Sequence, residues 1–266
     1  MTTSSQSDTS AERPIMVECR GLRKRYGALT AVDGIDLRVH AGELFGFLGP
    51  NGAGKTTTIK MMTGLLRPTA GTVLVGGHDL QQDPLAAKSI LGYIPDNPFL
   101  YEKLTGREFL HFMADLYSVP ASGRSEKIDR LLALFELRDK TDELVQSYSR
   151  GMRQKLALAG ALVHDPRVVF LDEPTVGLDP RSARLMKDTL RRLCNDGVAV
   201  FVTTHILEIA ERMCDRFAII ARGRVVAEGT MSELRAQAAS SKGSLEDIFL
   251  ELTGGDEDRE IVRNLE

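Results

Sequence analysis

The chain has 266 residues, with 34 Lys and Arg against 37 Asp and Glu; its formal charge of −3 excludes the cationic excess from which general nucleic-acid binders draw phosphate affinity. Hydrophobic residues make up 42% and charged residues 27%, ordinary globular proportions that allow a substantial core in one large domain or two small lobes. Its longest apolar runs, such as residues 198–202, fall far short of the roughly 18–20 residues that span a bilayer, so any membrane role is expected to be peripheral.

Residues 1–14 carry neither an apolar signal core nor an Arg-rich amphipathic pattern and read as a solvated, disordered tail, which predicts a cytoplasmic protein. Residues 15–19 and 35–39 alternate apolar with polar, the pattern of half-exposed antiparallel strands. Residues 44–48 are apolar throughout and run into Gly49-Pro50-Asn51-Gly52, as a strand buried on both faces does where it meets a turn. Over residues 55–66 the spacing predicts a helix with Ile59, Met62, Leu65 and Leu66 on one side and Gly64 as its weak point. Residues 91–94 read as another strand, and from about 97 to 162 the pattern turns helical: Phe109, Leu110, Met113, Leu116 and Tyr117 share one face, as do Ile128, Leu131, Leu132 and Phe135 after a capping Ser125. Strand and helix then alternate, with strands at 168–171, 198–203, 217–220 and 225–227 and helices at about 180–194 and 206–213. That order predicts an α/β fold with a parallel sheet and crossover helices, the 97–162 insert forming a second lobe. Cys19, Cys194 and Cys214 lie far apart, form neither a CxxC pair nor a metal cluster, and are expected to be reduced thiols.

Two segments carry chemistry. Gly49-Pro50-Asn51-Gly52-Ala53-Gly54-Lys55-Thr56 fits G-x-x-x-x-G-K-[ST] between a buried strand and a helix. Its small residues let backbone N–H groups turn around phosphate oxygens, and the helix N-terminus adds partial positive charge. Lys55 is expected to bridge the β- and γ-phosphates and Thr56 to give its hydroxyl to Mg2+, with Thr57 counted among the nucleotide contacts. The strand at 168–171 ends in Asp172-Glu173, where Asp172 is expected to hold the Mg2+ shell through water and Glu173 to orient and deprotonate the attacking water.

Between them lies Tyr148-Ser149-Arg150-Gly151-Met152-Arg153-Gln154, opening a helix, with Gly151 placed 21 residues before Asp172. The segment resembles the LSGGQ signature of ABC-type ATPases: Ser149 and Gly151 keep its core, while Tyr148, Arg150 and Met152 depart from its commonest form. The resemblance implies a P-loop NTPase with a RecA-like core and parallel sheet, an N-terminal antiparallel β subdomain and an inserted α-helical subdomain. It gives an ATP-binding domain at 15–230, with the insert at about 97–162, followed by a C-terminal helical extension at 231–266. Tyr26 is similar to the aromatic that stacks on adenine, Gly177-Leu178-Asp179 to the D-loop that crosses to a partner subunit, and His205 to the switch histidine that contacts the γ-phosphate. Ser149, Arg150, Gly151 and Met152 are implied to touch the partner's ATP. Where the family usually carries Gln, this chain has Asp96; an ionised carboxylate only accepts hydrogen bonds, so a water-bridged contact to Mg2+ is expected there. That segment and Ser244-Leu245-Glu246-Asp247-Ile248-Phe249-Leu250 resemble a branch of prokaryotic exporters with separately encoded permeases.

The resemblance therefore implies an ATPase that uses ATP and Mg2+, pairs with itself or a related subunit, and drives a separately encoded integral membrane permease from the cytoplasmic face of the cell membrane, with no nucleic-acid partner. Asp83, Asp96 and Glu102 and the lobe around Phe99 to Phe112 are the expected permease-facing surface. The competing reading is a soluble ABC ATPase serving cofactor assembly or another process outside transport. A GTPase switch would need a guanine-reading NKxD segment, which the sequence lacks.

Overall fold

The computed structural model describes residues 13–238 and 243–253; the expected tail, apart from Arg13 and Pro14, and the end of the expected C-terminal extension lie outside them. Two sheets frame the core. Strands β1 (Ile15–Tyr26), β2 (Leu29–His40), β4 (Ala70–Val75) and β5 (His78–Asp79) form an antiparallel sheet in the order β2-β1-β4-β5. β3 (Leu44–Leu48), β6 (Leu91–Ile94), β7 (Val168–Asp172), β8 (Ala199–Thr204), β9 (Arg216–Ala221) and β10 (Arg224–Gly229) form the second, in the order β10-β9-β3-β8-β7-β6.

β3, β7 and β8 are buried at every position, the state their unbroken apolar runs call for in a sheet covered on both faces. On one face Phe201 meets Phe45, Phe47 and Phe170 at centroid separations of 5.7, 5.5 and 5.5 Å. The sheet is parallel from β9 to β6, but β10 pairs antiparallel with β9. Arg222 and Gly223 both take positive φ (50° and 77°), the two-residue hairpin geometry whose twist suits antiparallel strands. The 225–227 strand is thus a hairpin return and not a crossover product.

Helix α1 (Lys55–Met62) follows β3 and stops before the expected Leu66. Gly64 adopts φ +69°, the left-handed conformation that ends helices, so Leu65 and Leu66 leave the helical face and Leu65 is exposed. After the short α2 (Pro84–Ser89) and β6, the lobe consists of α3 (Gly106–Leu116), α4 (Arg124–Leu134) and α5 (Arg150–Leu162). Thr105 and Glu108 form a capping box on α3. Ser125 is not the cap of α4: the helix begins at Arg124 after Gly123 (φ +74°), because the Arg124 guanidinium bonds the Val119 carbonyl and pairs with Asp115, fixing the turn ahead of Ser125. α3 and α5 approach closely at Gly160, where a Cβ would lie 2.9 Å from the Phe109 ring.

α6 (Pro180–Asn195) and α7 (Leu207–Met213) complete the crossovers. α8 (Met231–Gln237) and α9 (Leu245–Thr253) then pack on β10 and α7, with Leu245 and Ile248 fully buried. Cys19 and Cys194 are buried and Cys214 half-buried; desolvation pushes the first two thiols up to about 12, which leaves them unreactive.

Candidate functional site

The loop between β3 and α1 is shaped by where side chains cannot go. A Cβ on Gly49 would sit 2.4 Å from the Ile220 carbonyl, and one on Gly54 (φ +111°) would sit 2.6 Å from the Ala31 carbonyl. Gly52 is also left-handed, at φ +79°. Pro50 and Ala53 close the turn through Ala53 N–H to Pro50 O, and the β9–β10 hairpin clasps it from outside through Gly223 N–H to Ala53 O at 2.9 Å. Lys55, 7% exposed, donates to the Gly49 and Pro50 carbonyls at 2.6 and 3.1 Å. Burial lowers its pKa against the opposing fields of Glu173 and Asp172.

Asp172 closes β7 and is 5% exposed. Its partner is Thr203, directly opposite on β8, whose hydroxyl donates to the carboxylate. Burial raises the Asp172 pKa above the usual carboxylate range; the Thr203 bond and Lys55 oppose that, while Glu173 and Asp96 add to it. Glu173 adopts φ +50°, a strained conformation for a residue with a side chain, and its N–H is held by the Thr203 carbonyl and hydroxyl at 3.1 and 3.2 Å. The resulting kink presents its carboxylate to His205 Nδ1 at 2.8 Å.

Asn51, Gly52, Gly54, Lys55, Thr56, Thr57, Asp96, Asp172, Glu173 and His205 surround one cavity of about 360 Å³, joined by Ala31 and Val176. The cavity pairs a cationic loop with a wall of hard oxygen donors, an arrangement suited to a polyanion together with a divalent cation. Among the described residues no cluster of three or more His, Cys, Asp or Glu could hold a metal unaided.

Other expected site residues do not line the cavity. Tyr26 is 49% exposed, with Lys24 Nζ 5.2 Å from its ring centroid. Ser149 caps α5 by accepting from Met152 N–H, and Gly151 packs toward Leu178, Ser182 and Asp179. Asp179 caps α6 through Ser182, whose hydroxyl bond holds its carboxyl below the usual range. Arg150 lies over the turn at Gly177. Tyr148, a departure from the commonest signature, is buried and donates its hydroxyl to the Lys140 carbonyl at 2.6 Å, so its aromatic ring is a packing element of the lobe. Thr203 is the contributor that sequence reasoning missed; its signal was a pair of threonines ending an otherwise apolar strand.

Three comparisons fit this architecture. Residues 32–176 match the ABC transporter family. The chain is 43% identical over 222 residues to the daunorubicin resistance ATP-binding protein DrrA3 of Streptomyces coeruleorubidus, covering 84% of this chain and 70% of that protein. It is 40% identical over 240 residues to the probable multidrug ABC transporter ATP-binding protein YbhF of Escherichia coli, covering 89% of this chain but 41% of that longer one. A solved structure described as the ATP-binding subunit of an ABC transporter superposes with a TM-score of 0.85 at 33% identity, over 89% of this chain and 99% of the other. With its glycine loop, strand-end acids and helical lobe in one framework, the chain belongs to the ABC transporter family as an ATP-binding subunit, the ATP-hydrolysing component that powers transport.

Proposed function

We propose that the cavity beneath the 49–56 loop holds the triphosphate of ATP with Mg2+, and that hydrolysis there drives a separately encoded membrane permease, most directly an exporter. The donor set fits those groups. The hydrogen-bond partners of Lys55 are carbonyls, and among the described residues no carboxylate pairs with it, which leaves its charge for phosphate. Thr56, Asp172 and Asp96 offer the few oxygen donors that Mg2+ takes from protein when phosphates and water complete its shell. When bound, Mg2+ supplies electrostatic neutralisation of the phosphate oxygens. The N–H groups opening α1 and the Lys55 ammonium orient the phosphates, and Asp172, held by Thr203, faces the cation.

The observation that carries the proposal is the Glu173 carboxylate, held at 2.8 Å by His205 in the wall of the same cavity as the loop. There it accepts a proton from water poised for attack, while His205 fixes its orientation. Replacing Glu173 with Gln removes the base and leaves the loop intact. Glu173→Gln is expected to keep nucleotide affinity within about twofold while turnover falls by about 10² to 10⁴, whereas Lys55→Ala loses binding itself. Turnover near the parent rate in Glu173→Gln would overturn the assignment.

The first turn of α5 does not line this cavity, so its exposed side is open to a second chain. Ser149, Arg150, Gly151 and Met152 of a second copy or a related subunit complete the site, with Asp179 at the crossing, and Tyr26 receives the adenine on its exposed ring. The permease-facing surface is the aromatic row Phe99, Tyr101 and Phe112, with Phe99 89% exposed and neighbouring centroids 6.5 and 4.9 Å apart. Of the acids expected there, Asp83 caps α2 and Glu102 pairs with Arg153 at 3.0 Å. Drug resistance and multidrug transport in the names of the relatives favour export. No helix among the described residues is long and apolar enough to cross a membrane, and attachment through the permease on the cytoplasmic side accounts for membrane association.

A further inference from the structure

Asp96, in the loop after β6, and Arg150, which opens α5, are set against each other in the structure. Arg150 Nη2 lies 4.0 Å from Asp96 Oδ1, with the two side chains 57% and 45% exposed. The same guanidinium covers the turn after β7: a Cβ on Gly177 (φ +74°) would fall 2.8 Å from its Cζ and 2.9 Å from its Nη1. One cation therefore joins the loop after β6, the N-terminus of α5 and the turn leading into α6. Asp96 also faces the cavity that contains Asp172 and Glu173, so three carboxylates share one space and Arg150 offsets the outermost.

We propose that Arg150 is a positioning residue that couples divalent-cation occupancy of the nucleotide cavity to the first turn of α5 within one chain, through its pairing with Asp96 and its seat on the Gly177 turn. The inference rests on the reading of the cavity as the nucleotide site. Without a cation, Arg150 compensates Asp96 and ties the loop after β6 to α5. A divalent cation among Thr56, Asp172 and Asp96 competes for the same carboxylate and repels the guanidinium. Arg150 is then released toward the open side of the molecule, where a second chain docks. A half-exposed ion pair biases such an equilibrium by about fivefold at most, which suits a reversible switch.

Hydrogen exchange of the full chain tests this, using ADP at saturation and a concentration at which the chain sediments as a monomer, with Mg2+ or with EDTA. Direct ADP titration comes first: absence of binding refutes the cavity reading, whereas binding without the changes below refutes only the coupling. In the parent chain, Mg2+ is expected to speed exchange about three- to fivefold in peptides covering residues 95–103 and 149–154. Arg150→Ala and Asp96→Asn should exchange at the faster rate with or without Mg2+, and Arg150→Lys, which keeps the competing charge, should retain a Mg2+ response. A response of parental size in Arg150→Ala or Asp96→Asn, or none in the parent chain, overturns the proposal.

Discussion

Thr203 binds both strand-end acids at once, its hydroxyl donating to the Asp172 carboxylate and its backbone and side-chain oxygens holding the Glu173 N–H. Thr203→Val keeps the shape and removes the hydroxyl, leaving a buried carboxylate without its donor, a change that costs about 1–3 kcal/mol. The pH dependence has a definite sign. Asp172 titrates above the usual carboxylate range in the fold, so between its unfolded and folded pKa values the folded state binds more protons and stability falls as pH rises. Losing the Thr203 bond raises the folded value further, so the deficit of Thr203→Val is expected to be larger at pH 7 than near pH 4. Urea unfolding at both pH values measures it, and an equal deficit at both would mean that the hydroxyl does not serve the carboxylate. Asp172 and Glu173 were legible as strand-end acids because burial without a partner is costly. Their shared partner was not, because strand register is a long-range fact that local pattern does not carry.

At the scale of elements, the glycine loop is as much a product of β2 and the β9–β10 hairpin as of its own sequence. The Ala31 carbonyl stands within 2.6 Å of where a Gly54 Cβ would be and 2.8 Å of where a Gly223 Cβ would be, and Gly223 also donates to Ala53. Gly223→Ala introduces a side chain at φ +77° against backbone that cannot yield cheaply. It is expected to cost about 1–2 kcal/mol of stability from the left-handed conformation alone, and to weaken nucleotide binding by displacing the loop. Thermal unfolding together with nucleotide titration checks both; a destabilised variant with parental affinity would separate the hairpin from the loop's geometry. The strand-loop-helix unit itself was readable from the apolar run at 44–48 and the glycines that follow. The stop of α1 at Met62 was less so, since Gly64 is tolerated inside some helices and terminates this one by its φ of +69°. The antiparallel return of β10 was hidden because Arg222-Gly223 carries a hairpin turn in a pair of residues whose side chains do not advertise it.

For the whole molecule, the absence of the signature turn from the cavity lining leads to a quantitative expectation about assembly. In one chain Ser149 caps α5 and Gly151 packs toward the start of α6, while Lys55 opens α1 after the glycine loop. If a site takes its loop from one copy and its signature from another, a head-to-tail pair has two sites, each built from both chains. A Lys55→Ala chain and a Ser149→Arg chain are each expected to be inactive alone, the first for want of the phosphate cation and the second because a bulky cation replaces the capping hydroxyl. Mixed, they form a hybrid in which one site combines both lesions and the other combines two intact halves. Random assortment of equal amounts makes about half of all pairs hybrid, so independent sites give recovery of up to about a quarter of parental ATPase activity. If both sites must fire together, recovery falls well below that value while nucleotide binding to the intact loop persists. Activity no higher than that of either variant alone, with hybrid pairs verified by differential tagging, would count against composite sites that work independently.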